Sequence, residues 1–533
     1  MAKEETIVGG AGTAELQQAA PHAPAAPGVD RMQGLPAMPE EVIVAPAAPA
    51  FDFKRIVFIL LGLAFFAGAY LIPGLPDGVD PAGKVFHLSW EGKMSLGLFL
   101  MAGIWWVFEV MPIGATAIAI GLFQVLFFIR PADKALKDFL DPSVWFIFGS
   151  VVIGLAFTRS GLTKRMAYKM LAVVGERTNM ILLGAFLVTV AMTHLMAHTA
   201  VAAAIFPLLM AINSLYTDSD KPTRFGKGLF IGMAWSAGAG SIITLLGSAR
   251  GVAALGMFKE FTGNEIGFFE LTWYLFPVGW LMVLVIWLVI ITFFKPERDR
   301  IPGLREKAKE LTKQLGPMNG KEKFVIVTML VIVGLFMAKS FLGPSVPILK
   351  KLDRTAIMLI GTVAFFLTRT LTVEDLEAIP WNILLLFGGA MSIGFCLWQT
   401  GAAEWLAIHW LTAFLNAHWL VFVLGIGFFV LVMTNFIMNV AAIAISLPVS
   451  LVIARYLGVS PHVILFVSLC TAGMPFNLLI GAAPNAIAYE SKQFTPGEFF
   501  TYGWVPSLVL MAILGLFAYV IWPLMGMPVL APK

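Results

Sequence analysis

The sequence predicts an all-α polytopic membrane protein made of two inverted repeats with re-entrant hairpins and broken helices, with about 11 transmembrane segments. Composition is the first reason: of 533 residues, 59% are hydrophobic and 13% are charged, about half the charged share of a soluble domain. So few charges cannot coat a water-exposed surface, and lipid must be the solvent for most of the chain. Long uncharged stretches are the second. Residues 273–294 and 504–526 carry no charge, and a helix needs about 20 apolar residues to cross the hydrocarbon core. The third is a set of polar residues that recurs at one fixed spacing in both halves.

In chain order, residues 1–53 are rich in Ala and Pro and lack the basic-then-apolar opening of a signal peptide. They predict a disordered cytoplasmic tail. A first repeat is expected over 54–294, with apolar spans near 55–75, 93–111, 113–129 and 144–158. The stretch 180–212 is too long for one helix and is interrupted by Thr193-His194 and His198-Thr199. That pattern predicts a hairpin that enters and leaves on one side. Residues 228–257 predict a broken helix, and 273–294 close the repeat. After a loop at 295–323, a second repeat is expected over 324–533, with spans near 324–342, 354–368 and 382–398. A second hairpin at 420–455, a second broken helix at 462–488 and a last span at 504–526 complete it.

Basic residues set the orientation. Nine Lys and Arg side chains crowd 295–323, and Arg159, Lys164, Arg165 and Lys169 follow the fourth span. Under the positive-inside rule both segments are cytoplasmic. Lys54 and Arg55 place the amino terminus on the same side of a bacterial inner membrane. Lys350, Lys351 and Arg354 fall on the outer side, against the trend. The net charge of +4 gives no case for a nucleic-acid partner. Cys396 and Cys470 lie in apolar runs and read as buried small hydrophobes.

The two halves echo each other. Phe148-Gly149 and Ser160-Gly161 are answered by Phe387-Gly388-Gly389 and Thr400-Gly401. Thr193, His198 and Pro207 are answered by Thr434, Asn439 and Pro448, each pair 241 residues apart. Gly247-Ser248-Ala249-Arg250-Gly251 is answered by Gly481-Ala482-Ala483-Pro484-Asn485. An odd number of crossings separates the copies, so they are inverted, and inverted repeats with broken helices characterise secondary transporters. The small residues at 247–251 and 481–485 predict the breaks. A break exposes carbonyls from one half-helix, which suit Na⁺, and amides from the other, which suit anions.

At these residues the chain resembles the divalent anion/sodium symporter family of dicarboxylate, citrate and sulfate carriers, over roughly 55–526. The best match is Ala483-Pro484-Asn485-Ala486-Ile487, close to the family's Thr-Pro-Pro-Asn-Ala-Ile. The resemblance implies a homodimer, each protomer with a scaffold and a transport domain that moves like an elevator. The family's hairpin-tip signature is Ser-Asn-Thr. Here the tips read Ala197-His198-Thr199 and Met438-Asn439-Val440, and the first break reads Gly247-Ser248-Ala249-Arg250-Gly251. Candidate Na⁺ ligands implied by the resemblance are Thr434, Asn439 and Gly481 in the second half and Thr193 and Gly247 in the first.

Candidate substrate residues are His198, Thr199, Ser248, Arg250, Asn439, Ala482, Pro484 and Asn485. A guanidinium offers paired donors to a carboxylate, sulfonate or sulfate, and an ionisable residue at membrane depth is a functional candidate. Histidine changes charge near neutral pH and offers coupling to H⁺. His194 shares the helical face of His198 but lacks a third ligand for a metal. Glu109, Asn435 and Asn477 are further polar candidates. No phosphate-binding Gly loop and no nucleophile–base pair points to an enzyme or a cofactor. The expected function is secondary active transport of a small divalent anion (dicarboxylate, sulfate or sulfonate), coupled to Na⁺ and/or H⁺. The alternatives are a Na⁺-independent exchanger and a transport-inactive sensor or assembly protein.

Overall fold

The computed structural model describes residues 53–79, 85–217, 221–411 and 417–530. The expected tail lies outside them except for Phe53, which opens the first helix. The first half runs α1 (Phe53–Leu71), α2 (Trp90–Val107), α3 (Ile113–Leu126), α4 (Pro142–Ser160), α5 (Leu162–Val174), α6 (Thr178–Thr193), α7 (His198–Tyr216), α8 (Arg224–Ser241), α9 (Ala249–Thr262) and α10 (Phe268–Phe293). A connecting helix α11 (Leu304–Gln314) follows. The second half runs α12 (Gly320–Leu342), α13 (Arg354–Leu367), α14 (Trp381–Gln399), α15 (Ala402–Leu411), α16 (Trp419–Phe436), α17 (Asn439–Tyr456), α18 (Pro461–Gly473), α19 (Ala483–Tyr489) and α20 (Pro496–Leu516). Among the described residues, nine helical stretches are long and apolar enough to cross a membrane, and four further apolar helices are shorter. That set includes hairpin legs, because length and composition do not separate a leg from a full span.

Local chemistry sets many helix ends. Asp141 caps α4 by accepting from Ser143 N at 2.7 Å, and Pro142 supplies the fixed φ of a first turn. The helix stops at Gly161, whose φ of 88° is open to glycine without strain. Its counterpart after α14 is Gly401, with φ 75°. Phe128 and Arg369, also 241 residues apart, both adopt positive φ, at 54° and 53°. The echo read in the sequence therefore extends to the backbone, since α3 and α13, α6 and α16, and α7 and α17 also start 241 residues apart.

The halves interlock. α3 packs on α14 and α4 on α13. Gln124 Nε2 donates to Ser392 Oγ at 2.8 Å, and Asn382 Oδ1 accepts from Gly114 N at 2.7 Å. The buried Arg130 pairs with Asp138 at 2.7 Å and donates to Gln399 Oε1 at 3.1 Å. α1 packs on α2 and exposes Leu60, Leu61, Phe65 and Leu71, an apolar surface that only lipid or another apolar partner covers without cost.

Three details depart from expectation. The breaks begin earlier than 247–251 and 481–485: α8 ends at Ser241 and α18 at Gly473. Residues 249–251 and 483–485 instead open the second half-helices. The loop at 295–323 holds a helix, α11, which packs on α5. Both are short amphipathic helices that a search for long apolar runs passes over.

Arg165 of α5 fixes this corner. Its Nε and Nη2 reach the two carboxylate oxygens of Glu322 at 2.7 and 3.0 Å, and its Nη1 donates to Gly316 O at 2.8 Å. The two side chains are only 8% and 2% exposed. Removing one partner leaves a buried charge alone, a loss of about 3–5 kcal/mol. Glu322→Ala also breaks the capping box with Asn319 that starts α12. This variant is expected to lower the unfolding temperature sharply in a detergent thermal melt, and Lys164→Ala, on an exposed surface, to leave it unchanged.

Candidate functional site

Both hairpins turn abruptly. The first has four residues, 194–197, between α6 and α7, and the second has Ile437 and Met438 between α16 and α17. Neither Ala197 nor Met438 provides a side-chain cap. The first amides of α7 and α17 therefore lack the partner that a Ser or Asp would supply.

Each tip presses on the break of its own half. A Cβ on Gly247 would lie 2.0 Å from Thr193 O, and one on Gly481 would lie 2.7 Å from Thr434 O. Only a residue without a side chain permits these approaches. The unwound backbone is tied down from outside. Ser150 Oγ donates to Leu246 O at 2.7 Å and Thr244 Oγ1 to His194 O at 3.0 Å. In the second half Asn435 Oδ1 accepts from Asn477 N and Leu478 N at 2.9 and 3.0 Å.

The two tips and the starts of α9 and α19 meet at one cavity of about 390 Å³. Ala197, His198 and Thr199 line it from the first tip, Met438, Asn439 and Val440 from the second, and Ala249, Arg250 and Ala483 from the half-helices. α4 and α14 form the opposite wall, with Ala378, Ile379 and Pro380 between Thr158 and Phe387. Of the predicted substrate residues, His198, Thr199, Arg250 and Asn439 come together here.

Within the cavity wall the polar groups are short of partners. Arg250 is 2% exposed, its Nη2 donates to Ser241 Oγ at 2.7 Å, and its Nε has no hydrogen-bond partner. Asn439 is 5% exposed and its Nδ2 is likewise unpartnered. His198 Nδ1 also lacks a partner. Buried donors without acceptors are costly, and these three residues line one cavity.

The remaining predicted residues take other places. Ser248 is the N-cap of α9 and accepts from Gly251 N at 3.0 Å. Ala482 and Pro484 open α19 beside Ala483, the residue that does line the cavity. The Asn485 amide donates to Pro475 O at 2.8 Å and Leu478 O at 3.0 Å, so it staples the second break. Asn435 serves the same break. Asn477 bonds Phe500 O and Ser507. His194 packs against Phe276 and Trp280, not against the cavity. Glu109 is exposed in the turn between α2 and α3, in a positive-φ conformation. Cys396 and Cys470 are buried and free. Sequence reasoning missed residues 378–380, because an Ala-Ile-Pro segment carries no chemical signal.

For Na⁺, the second half offers an oxygen-rich place. Thr434 Oγ1 donates its proton to Ala472 O at 2.9 Å, which leaves its lone pairs available. Asn439 and the Gly481 backbone lie on the two elements that meet there. Such oxygens suit a hard cation. In the first half Thr193 Oγ1 donates to Val190 O at 2.7 Å, with Gly247 against its carbonyl. Here the guanidinium of Arg250 reaches the end of the preceding half-helix, Ser241.

Asn485→Ala removes the donor shared by Pro475 O and Leu478 O. Unpaired buried polar groups cost about 1–3 kcal/mol, so the melting temperature is expected to fall. Anion affinity of the folded protein, read by isothermal titration, is expected to change less than about threefold, below 0.7 kcal/mol.

Spanning helices and a cavity that both hairpin tips line are the build of a multi-pass membrane transporter. Residues 54–528 match the family described as Sodium:sulfate symporter transmembrane region, and the chain belongs to that family. A sodium-dependent dicarboxylate transporter of Staphylococcus saprophyticus is 25% identical over 509 residues, covering 91% of this chain and 94% of that one. Two solved structures share the fold: MtrF of Neisseria gonorrhoeae and the YdaH transporter of Alcanivorax borkumensis. Their TM-scores are 0.54 and 0.52, each at 13% identity, over 88% and 90% of this chain and 94% and 100% of theirs.

Proposed function

We propose that this protein is a Na⁺-coupled secondary transporter of small divalent anions, dicarboxylates first among them, and that it works by elevator-type alternating access. One observation carries the reading. Both hairpin tips and the first turn of α9 converge on a cavity where Arg250 Nε and Asn439 Nδ2 have no acceptor. A carboxylate supplies acceptors, and the uncapped amides that open α7 and α17 favour negative charge. The relative from Staphylococcus saprophyticus is named for sodium and dicarboxylate, which supports Na⁺ as the coupling ion and a dicarboxylate over sulfate or sulfonate.

In this reading the chain is two inverted repeats, over 54–294 and 324–533. The transport domain comprises the hairpins with α8–α9 and α18–α19, and it slides against α3, α4, α13 and α14. Thr158 and Ala378–Pro380 line the cavity, and Thr158 lies near the end of α4, where Ser160 O accepts from Asn319 Nδ2 of the basic loop at 3.4 Å. In this reading that end of the cavity lies toward the cytoplasm, with the amino terminus on the same side. By resemblance the working unit is a homodimer in the bacterial inner membrane.

Proteoliposomes with an inward Na⁺ gradient are expected to accumulate labelled succinate, and excess unlabelled succinate is expected to block it. Uptake driven only by preloaded anion, indifferent to Na⁺, would replace symport with exchange. No uptake and no anion-induced thermal stabilisation would end the transport reading.

A further inference from the structure

The charge on Arg250 has an unusual setting. Among the described residues, no carboxylate pairs with it. Its Nη2 is bonded to Ser241, the last residue of α8. A Cβ on Gly473, the last residue of α18, would lie 2.4 Å from Nη2 and 3.0 Å from Cζ. The guanidinium therefore rests between the carboxyl ends of both first half-helices. Each such end carries about half a negative charge on its free carbonyls. An unpaired buried cation is otherwise strongly unfavourable, and these two ends are what the fold offers to balance it.

Half-helix carboxyl ends of this kind are where transporters bind mobile cations. We infer that Arg250 is a tethered cation that takes the place of one coupling Na⁺ in the first half, leaving the Thr434–Asn439–Gly481 half as the Na⁺-responsive one. This rests on the reading of the cavity as an anion site. The repeat makes the asymmetry plain. The residue that opens α19 as Arg250 opens α9 is Pro484, which has no charge. Two unit charges about 4 Å apart at an effective dielectric near 20 repel enough to weaken Na⁺ binding about a thousandfold. A Na⁺ ion and the Arg250 guanidinium do not share that space. The fixed charge instead does the ion's work: it offsets the carbonyl ends and holds positive potential at the anion.

The test is a Na⁺ titration of succinate-induced thermal stabilisation and of succinate uptake, with purified full-length protein. The native protein is expected to give a Hill coefficient of about 1 for Na⁺. Arg250→Gln is expected to lose about tenfold or more in succinate affinity at low Na⁺, to recover it as Na⁺ rises, and to titrate with a Hill coefficient approaching 2. Arg250→Lys, which keeps the charge, is expected to keep the native value. A coefficient of 2 or more for the native protein overturns the tethered cation and leaves anion transport standing. An unchanged Na⁺ titration in Arg250→Gln overturns it too. Should Arg250→Gln not fold, the native titration decides alone. No response to any anion at any Na⁺ concentration overturns both readings.

Discussion

Gly247→Ala is expected to abolish succinate uptake while the protein still inserts into the membrane. The added methyl would stand 2.0 Å from Thr193 O and 3.3 Å from Ser241 Cα. Both neighbours are backbone, at a helix end and a break, so neither can swing aside as a side chain would. The hairpin tip and the break must separate. Overpacking costs typically about 1–3 kcal/mol, and a clash with a carbonyl oxygen belongs at the upper end. Separation moves His198 and Thr199 relative to Arg250, and misplacement of this kind costs about a hundredfold in function. Gly334→Ala in α12 is the control, because nothing lies within 4 Å of its new methyl. Uptake by Gly334→Ala should match the native protein. Normal uptake by Gly247→Ala would show that the contact between tip and break is not needed.

Asn439→Ala carries the second-largest expected effect. The side chain lines the cavity, is 5% exposed and leaves Nδ2 without a partner. Removing it therefore breaks no internal hydrogen bond of that donor, and the fold should tolerate the change. What is lost is a donor to the anion or an oxygen to Na⁺. Hydrogen bonds to charged groups contribute about 1.5–3 kcal/mol, so succinate affinity is expected to fall about 10- to 150-fold with the melting temperature of the ligand-free protein nearly unchanged. Asn485→Ala should show the reverse. If Asn439→Ala binds succinate as the native protein does, the second tip is not part of the site.

These contrasts follow from how differently the two kinds of residue were legible. Thr193, His198, Thr434 and Asn439 stood out because a polar side chain in the middle of an apolar stretch is expensive in lipid and needs a reason to be there. The structure brings His198 and Asn439 to one cavity. Asn485 stood out through the small-residue break and its match to the family motif, yet turns its amide to Pro475 and Leu478. Sequence marks a buried polar residue but not whether its partner is a solute or the chain's own backbone. The breaks were misplaced for a related reason. Ile242, Ile243, Leu245 and Leu246 are ordinary residues for a spanning helix, and nothing local unwinds them. They unwind because Ser150 satisfies Leu246 O and Thr244 ties to His194 O, contacts across 96 and 50 residues.

The sequence by itself determined that this chain lives in lipid, that it repeats, and which polar residues interrupt its apolar stretches. Hydrophobic length, charge asymmetry and fixed spacing are local quantities, and a bilayer converts them directly into spans and hairpins. Tertiary structure alone decided where the helices break, which polar groups face the cavity, and that the Arg250 guanidinium lies between Ser241 and Gly473. Those outcomes depend on acceptors and helix ends supplied by distant segments, and no local pattern encodes which of two available partners a buried donor will find.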